Sequence, residues 1–205
     1  MSEIIYDRIL NIKTNGIREW PEMENDYNRY EATPYFALEK LFKYQNIKLS
    51  DIMKIAIVSG KSEGPTKLNA FDNALSDAGI GDVNLIKVSS MLAGNAEIQE
   101  LPKLKAGSMV NCVLSEVTSS KPGAEITAVV AVAIGNELGC VVETSGIDKS
   151  PEELKDEAEF MVRYMMEKRD VDIREMIIES STATVENIAS VVASAVYLKD
   201  EIIEG

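Results

Sequence analysis

The chain has 205 residues, 45% of them hydrophobic, which suits one compact domain with an appended segment. Its formal net charge of -13 argues against a nucleic-acid partner, because phosphate binding needs clustered Lys and Arg; a cationic substrate suits it better. It has no histidine, which excludes Ser-His-Asp and Cys-His nucleophilic sites and His-based metal centres. Acid–base work then falls to Asp, Glu, Lys, Tyr, Cys or a cofactor.

Residues 1–52 hold the only Trp, Trp20, and most of the tyrosines. Within them "EATPYFALEKLFKY" predicts a helix, with Thr33 as N-cap, Pro34 at the first helical position and Phe36, Leu38, Leu41 and Phe42 on its apolar face. The stretch "REWPEMENDYNRYE" before it is polar and irregular. The opening residues lack a basic segment followed by a long apolar stretch, so no signal peptide is expected. The longest uncharged apolar runs, 126–135 and 188–197, are too short to span a bilayer. A cytoplasmic protein without a membrane partner is the expectation.

From Met53 the elements alternate. "MKIAIVS" (53–59) reads as a strand and "GKSEGPT" (60–66) as a loop, by its Gly and Pro content. "KLNAFDNALSDAG" (67–79) has helical spacing, with Leu68, Phe71, Ala74, Leu75 and Ala78 on one face and Gly79 as terminator. "DVNLIKVSS" (82–90) reads as a strand, followed by a Gly- and Pro-punctuated connection to about residue 108. Strands are expected over 108–119, 126–135 and 138–146, where Val and Ile favour extended backbone. "SPEELKDEAEFMVRYMMEKR" (150–169) predicts a helix capped by Ser150, with Pro151 at N1, acids leading and bases closing. "REMIIESSTAT" is a further strand; "NIASVVASAVYL" (187–198) fits either type, with strand preferred. Strands outnumber helices and several are adjacent, which predicts an α+β sandwich rather than a doubly wound sheet. Cys112 and Cys140 form no CxxC pair and are expected as buried, reduced thiols.

Two motifs raise the question of chemistry. Gly-Lys-Ser after a strand, in "IAIVSGKSEG" (55–64), is short of a phosphate loop, because that loop needs a glycine where Ile55 stands. The first 52 residues with this loop, "NRYEATPYFALEKLF" leading to a strand and a glycine loop, are similar to the opening of small methyltransferases, but Ile57-Val58-Ser59-Gly60 supplies neither the acid nor the spacing. The second motif is the pair Ser89-Ser90, where an apolar strand stops. Ser119-Ser120 and Ser180-Ser181 are pairs too, and such pairs are ordinarily turns or caps.

An ordered set of segments places the pair in context. They are "SEG" (62–64), "LNAFDNAL" (68–75), "AGIGDVNLIKVSS" (78–90), "AEIQELPKLKAG" (96–107), "PGAEITAVVAVAI" (122–134) and a short strand closing on Glu143. From Met53 to about Leu198 the chain thereby resembles the pyruvoyl-dependent arginine decarboxylases of archaea and some bacteria, and residues 1–52 stand as an extension outside that core.

The resemblance implies a four-layer α/β/β/α sandwich of the pyruvoyl-dependent histidine/arginine decarboxylase type, assembled as a homotrimer of αβ units with active sites between neighbours. It implies self-cleavage: the Ser90 hydroxyl attacks the preceding carbonyl, and the ester eliminates and hydrolyses to a pyruvoyl group, leaving a β chain (1–89) and an α chain (90–205). The covalent pyruvoyl cofactor from Ser90 takes the place of pyridoxal phosphate, binding the amine of L-arginine and absorbing electrons as carbon dioxide leaves. Agmatine, a polyamine precursor, is the implied product, and no metal is required. Glu143 matches the proton donor, a role that needs burial to raise its pKa. Asp72 matches the carboxylate that faces the guanidinium, where a planar bidentate pair selects arginine. Asn84 matches a residue near the pyruvoyl group, and Ser89 keeps its hydroxyl at the pocket. The alternatives are the same chemistry on another amino acid, such as aspartate, and a non-catalytic homologue acting as an assembly or binding subunit.

Overall fold

The computed structural model describes residues 52–94 and 96–204, so the helix expected from Thr33 lies outside the described residues. The described chain runs β1 (Lys54–Glu63), α1 (Lys67–Asp77), β2 (Asn84–Lys87), β3 (Met91–Ala93), β4 (Glu97–Ile98), β5 (Met109–Ser119), β6 (Glu125–Ile134) and β7 (Leu138–Ile147). Then come α2 (Pro151–Glu167), β8 (Glu175–Thr184), β9 (Ala189–Leu198) and one 3₁₀ turn at Asp200–Ile202. The strands form two sheets, the first ordered β2-β5-β9-β1-β4 and the second β3-β7-β6-β8.

Three apolar cores separate four layers. Ile55, Val113, Val130, Val132, Val141 and Ala195 fill the space between the sheets. Ala74, Leu75, Ala78, Val110, Leu114 and Val196 join α1 to the first sheet. Val129, Cys140, Leu154, Ala158, Val162 and Met166 join α2 to the second. The expected α/β/β/α sandwich is therefore present within one chain, its order helix, sheet, sheet, helix. Both cysteines are free and buried, and desolvation pushes both thiols above their ordinary pKa.

Position in the sheet explains the sequence patterns. The strands β6 and β9 are central and covered on both faces, so nearly every residue of each is buried. That removes the two-residue alternation of a half-exposed strand and leaves continuous apolar runs. It is why 187–198 fitted either secondary structure, and the structure makes it strand. The buried hydroxyls of β9 are paired: Ser194 donates to the Val113 carbonyl at 2.9 Å, and Thr118 donates to Ser190 at 2.8 Å.

Three local expectations are corrected. Residues 60–63 extend β1, pairing one by one with Val192 back to Ala189 on β9, instead of forming a loop. Gly60 signals close approach there: a Cβ on it would sit on the Ala74 carbonyl and the Ala78 amide of α1. Leu68 is 74% exposed, and Ala70 takes its expected place in the core, because α1 buries a narrower stripe around Ala70, Ala74 and Leu75. The strand expected over 82–90 ends at Lys87, and the connection after it contains the short strands β3 and β4.

Helix boundaries follow local chemistry. Thr66 caps α1 by accepting from Asn69 N–H at 3.2 Å, and Gly79 adopts φ +77 just beyond its end. Ser150, Pro151, Glu152 and Glu153 open α2 as expected. That helix stops at Glu167, so the basic residues lie past its last turn, where Arg169 donates back to the Met165 carbonyl at 2.8 Å.

Candidate active site

The serine pair occupies the point where the chain changes sheet. Val88 N–H still donates to Cys112 O at 3.0 Å, continuing the parallel β2–β5 ladder of the first sheet. Ser90 O already accepts from Val141 N–H at 2.8 Å, continuing the antiparallel β3–β7 ladder of the second. The Ser89–Ser90 peptide bond is thus the crossing itself. Met91 N–H donates to Ser89 O at 3.1 Å, which closes a three-residue turn centred on Ser90.

Ser89 opens into a cleft of about 550 Å³ that Met53, Lys54, Asn111, Tyr197 and Asp200 help to line. Tyr197, at the end of β9, donates its hydroxyl to Met91 O at 3.1 Å. Burial, and to a lesser extent the Cys112 thiol, pushes its pKa above the ordinary 10.0, so it remains a donor at neutral pH. Lys54 and Asp200 face each other at 3.5 Å on the rim.

The other expected site residues are dispersed in the single chain. Glu143 lies on β7 two residues beyond Val141, hence on the same face of the strand as the residue that holds Ser90. Its side chain is exposed in the single chain: β7 is buried from Gly139 to Val142 and emerges at Glu143, so this chain alone does not supply the burial expected of a proton donor. Asp72 is exposed on α1, in the outer helix layer, and does not line the cleft. Asn84 opens β2, and its amide donates to Gly107 O at 2.8 Å. Asn84 stands five positions before Ser89, at most about 16 Å away at strand rise. One chain therefore brings together Ser89, Ser90 and the strand carrying Glu143, of which only Ser89 lines the cleft, and leaves Asp72 and Asn84 apart from them.

Sequence reasoning missed Tyr197, Asn111 and Asp200. Tyr197 had a signal, as the single large polar ring in the small-residue run "ASVVASAVYL"; Asn111 and Asp200 had none, because only tertiary packing brings them to Ser89.

A pyruvoyl group at residue 90 would fit this geometry. Its amide carbonyl is the Ser90 oxygen already held by Val141 N–H, and the neighbouring residue opens into a cleft that could admit a substrate.

Comparison with known proteins agrees with the resemblance. The sequence profile of the pyruvoyl-dependent arginine decarboxylase family matches residues 54–202. A pyruvoyl-dependent arginine decarboxylase of Methanothermobacter thermautotrophicus is 56% identical over 147 residues, covering 72% of this chain and 97% of that protein. One of Pyrococcus furiosus is 38% identical over 153 residues, covering 71% of this chain and 94% of that protein. A solved structure of pyruvoyl-dependent histidine decarboxylase is similar over 49% of this chain and 55% of its own, at TM-score 0.41 and 16% identity.

Proposed function

The chain belongs to the pyruvoyl-dependent arginine decarboxylase family, and from that premise we propose that it cuts itself between Ser89 and Ser90 and converts L-arginine to agmatine and carbon dioxide. The observation that carries the reading is the crossing at the serine pair. Each flank of that bond is tied to a different sheet, so a cut there releases no ladder hydrogen bond and leaves both new ends held.

The pyruvoyl group derived from Ser90 would supply the electron sink for loss of carbon dioxide. The residues around it have separate tasks. Val141 N–H holds the carbonyl next to the reacting carbon. Glu143 returns a proton to the substrate carbon, and Ser89 keeps a hydroxyl at the mouth of the cleft. Asp72 receives the guanidinium and Asn84 helps to orient the amine, and both complete the pocket across a subunit interface. The dispersal of Asp72 and Asn84 in the single chain and the exposure of Glu143 support a homotrimer whose neighbour covers the site. Residues 1–52 stand outside the decarboxylase core, a division supported by the family match beginning at residue 54. A cytoplasmic location in polyamine synthesis fits a described chain in which no helix is long and apolar enough to cross a membrane.

A denaturing intact-mass spectrum, with and without borohydride, tests this directly. Two chains divided at Ser89/Ser90, the larger gaining hydride mass, together with arginine-dependent release of carbon dioxide, are the expected result. A single uncut chain of 22.5 kDa, or a cut chain that turns over another amino acid in preference to arginine, would overturn it.

A further inference from the structure

We propose that Tyr197 is a positioning residue for self-cleavage, its hydroxyl fixing Met91 so that the Met91 N–H serves as the donor to the oxyanion that forms on Ser89. This rests on the Ser89–Ser90 cleavage reading above and assigns that reaction a residue from β9.

The first step of cleavage is an isomerisation. The Ser90 Oγ forms a bond to the Ser89 carbonyl carbon, and the carbonyl π electrons move to the Ser89 oxygen. Collapse of that oxyanion breaks the bond to the Ser90 nitrogen, which ends with the hydroxyl proton, leaving an ester. No co-reactant is consumed. The step is accelerated by a donor already aimed at the oxygen where charge develops.

The structure supplies one such donor. Met91 N–H lies 3.1 Å from Ser89 O. The carbonyl of the same peptide unit, Ser90 O, accepts from Val141 N–H at 2.8 Å, which polarises the unit and strengthens its N–H as a donor. A three-residue turn is a soft closure, and on its other side Met91 is held through its own carbonyl, which accepts from Tyr197 at 3.1 Å. Tyr197 is itself set by the sheet: β9 is the centre of the first sheet, and the ring packs at the end of the core between the sheets. The side chain thereby ties the turn, which belongs to the second sheet, to the middle of the first. The titratable groups around it are Cys112 on β5 and Lys54, Lys199 and Asp200 on the cleft.

The test follows cleavage of full-length chains with time after cell-free synthesis. Tyr197→Phe is expected to slow cleavage roughly tenfold, the rate equivalent of one well-placed hydrogen bond. Introduced into the uncut Ser90→Ala chain, it is expected to leave the thermal midpoint within about 2 °C, well under the shift for a core defect. Hydroxylamine, which traps the ester, should leave the delay in place, because the affected step precedes it. A 3-fluorotyrosine placed at position 197 alone should restore cleavage at neutral pH and move the basic limb of its pH–rate profile to lower pH. Cleavage of Tyr197→Phe at the wild-type rate, or a 3-fluorotyrosine profile that does not move, would overturn the assignment while leaving the function standing. A wild-type chain that stays whole would remove both.

Discussion

The Ser90 carbonyl oxygen accepts from the Val141 N–H at 2.8 Å, so the residue after the proposed cut already belongs to the second sheet, while Val88 is still bonded to Cys112 in the first. This relationship sets what cleavage does to the fold. The piece before the cut contributes β1, α1 and β2, and these are interleaved with β5 and β9 from the piece after it. The two chains are expected to remain together on native size exclusion and to separate only in denaturant. The cut protein and the uncut Ser90→Ala chain should melt within about 3 °C of each other, the shift of roughly 1 kcal/mol for a chain of this size.

The roles of Glu143 and Asp72 separate by assay. Glu143→Gln is expected to process normally and to lose roughly 100-fold or more in turnover, the usual worth of a positioned proton donor. Asp72→Ala is expected to process normally and to raise KM for arginine by roughly 10- to 100-fold, the loss of a charge-assisted pair. Release of carbon dioxide against arginine concentration, beside intact mass, measures both. Loss of processing in either variant would count against its assignment.

Gly60→Ala places a methyl group against the Ala74 carbonyl and the Ala78 amide of α1, which are backbone and cannot rotate away. The helix must shift, at a cost of about 1–3 kcal/mol for overpacking. Thermal unfolding in the Ser90→Ala background should show a fall of several degrees.

Glu63 supplies a pH dependence with a definite sign. Its carboxylate accepts from Asn187 N–H at 3.1 Å and from Glu186 N–H at 2.6 Å, and these bonds hold its pKa below the ordinary 4.5. The folded-state pKa is the lower one, so the stability it contributes is complete above the unfolded value and is lost as pH falls through the folded value. Glu63→Gln should therefore be less stable than the parent at pH 7, with the gap closing as the pH is lowered towards 3. Thermal midpoints across that range check it.

The buried thiols of Cys112 and Cys140, with pKa values raised by desolvation, are expected to be inert to a disulfide reagent at pH 8 in the native protein and to react fully on unfolding. Rapid native labelling of either would contradict their placement in the cores.

The sequence by itself determined the two helices and the long strands from Met53 onward and their order, because periodicity, caps and β-branched content are local properties; it did not determine β3, β4 or the extension of β1 through Glu63. Thr66, Ser150 and Pro151 act at helix starts where the chain places them, and the apolar runs at 126–134 and 189–198 became central strands. The residue pattern from Leu68 to Ser90 also carried the family. Only the tertiary structure decided which sheet each strand joins, and with it the crossing at Ser89–Ser90, the closeness of Gly60 to α1, the emergence of Glu143 from the core and the reach of Tyr197 to Met91. Each of these joins residues far apart along the chain. A local pattern specifies how a segment is shaped and which face is apolar; pairing partners and buried neighbours are set by closure of the whole sandwich.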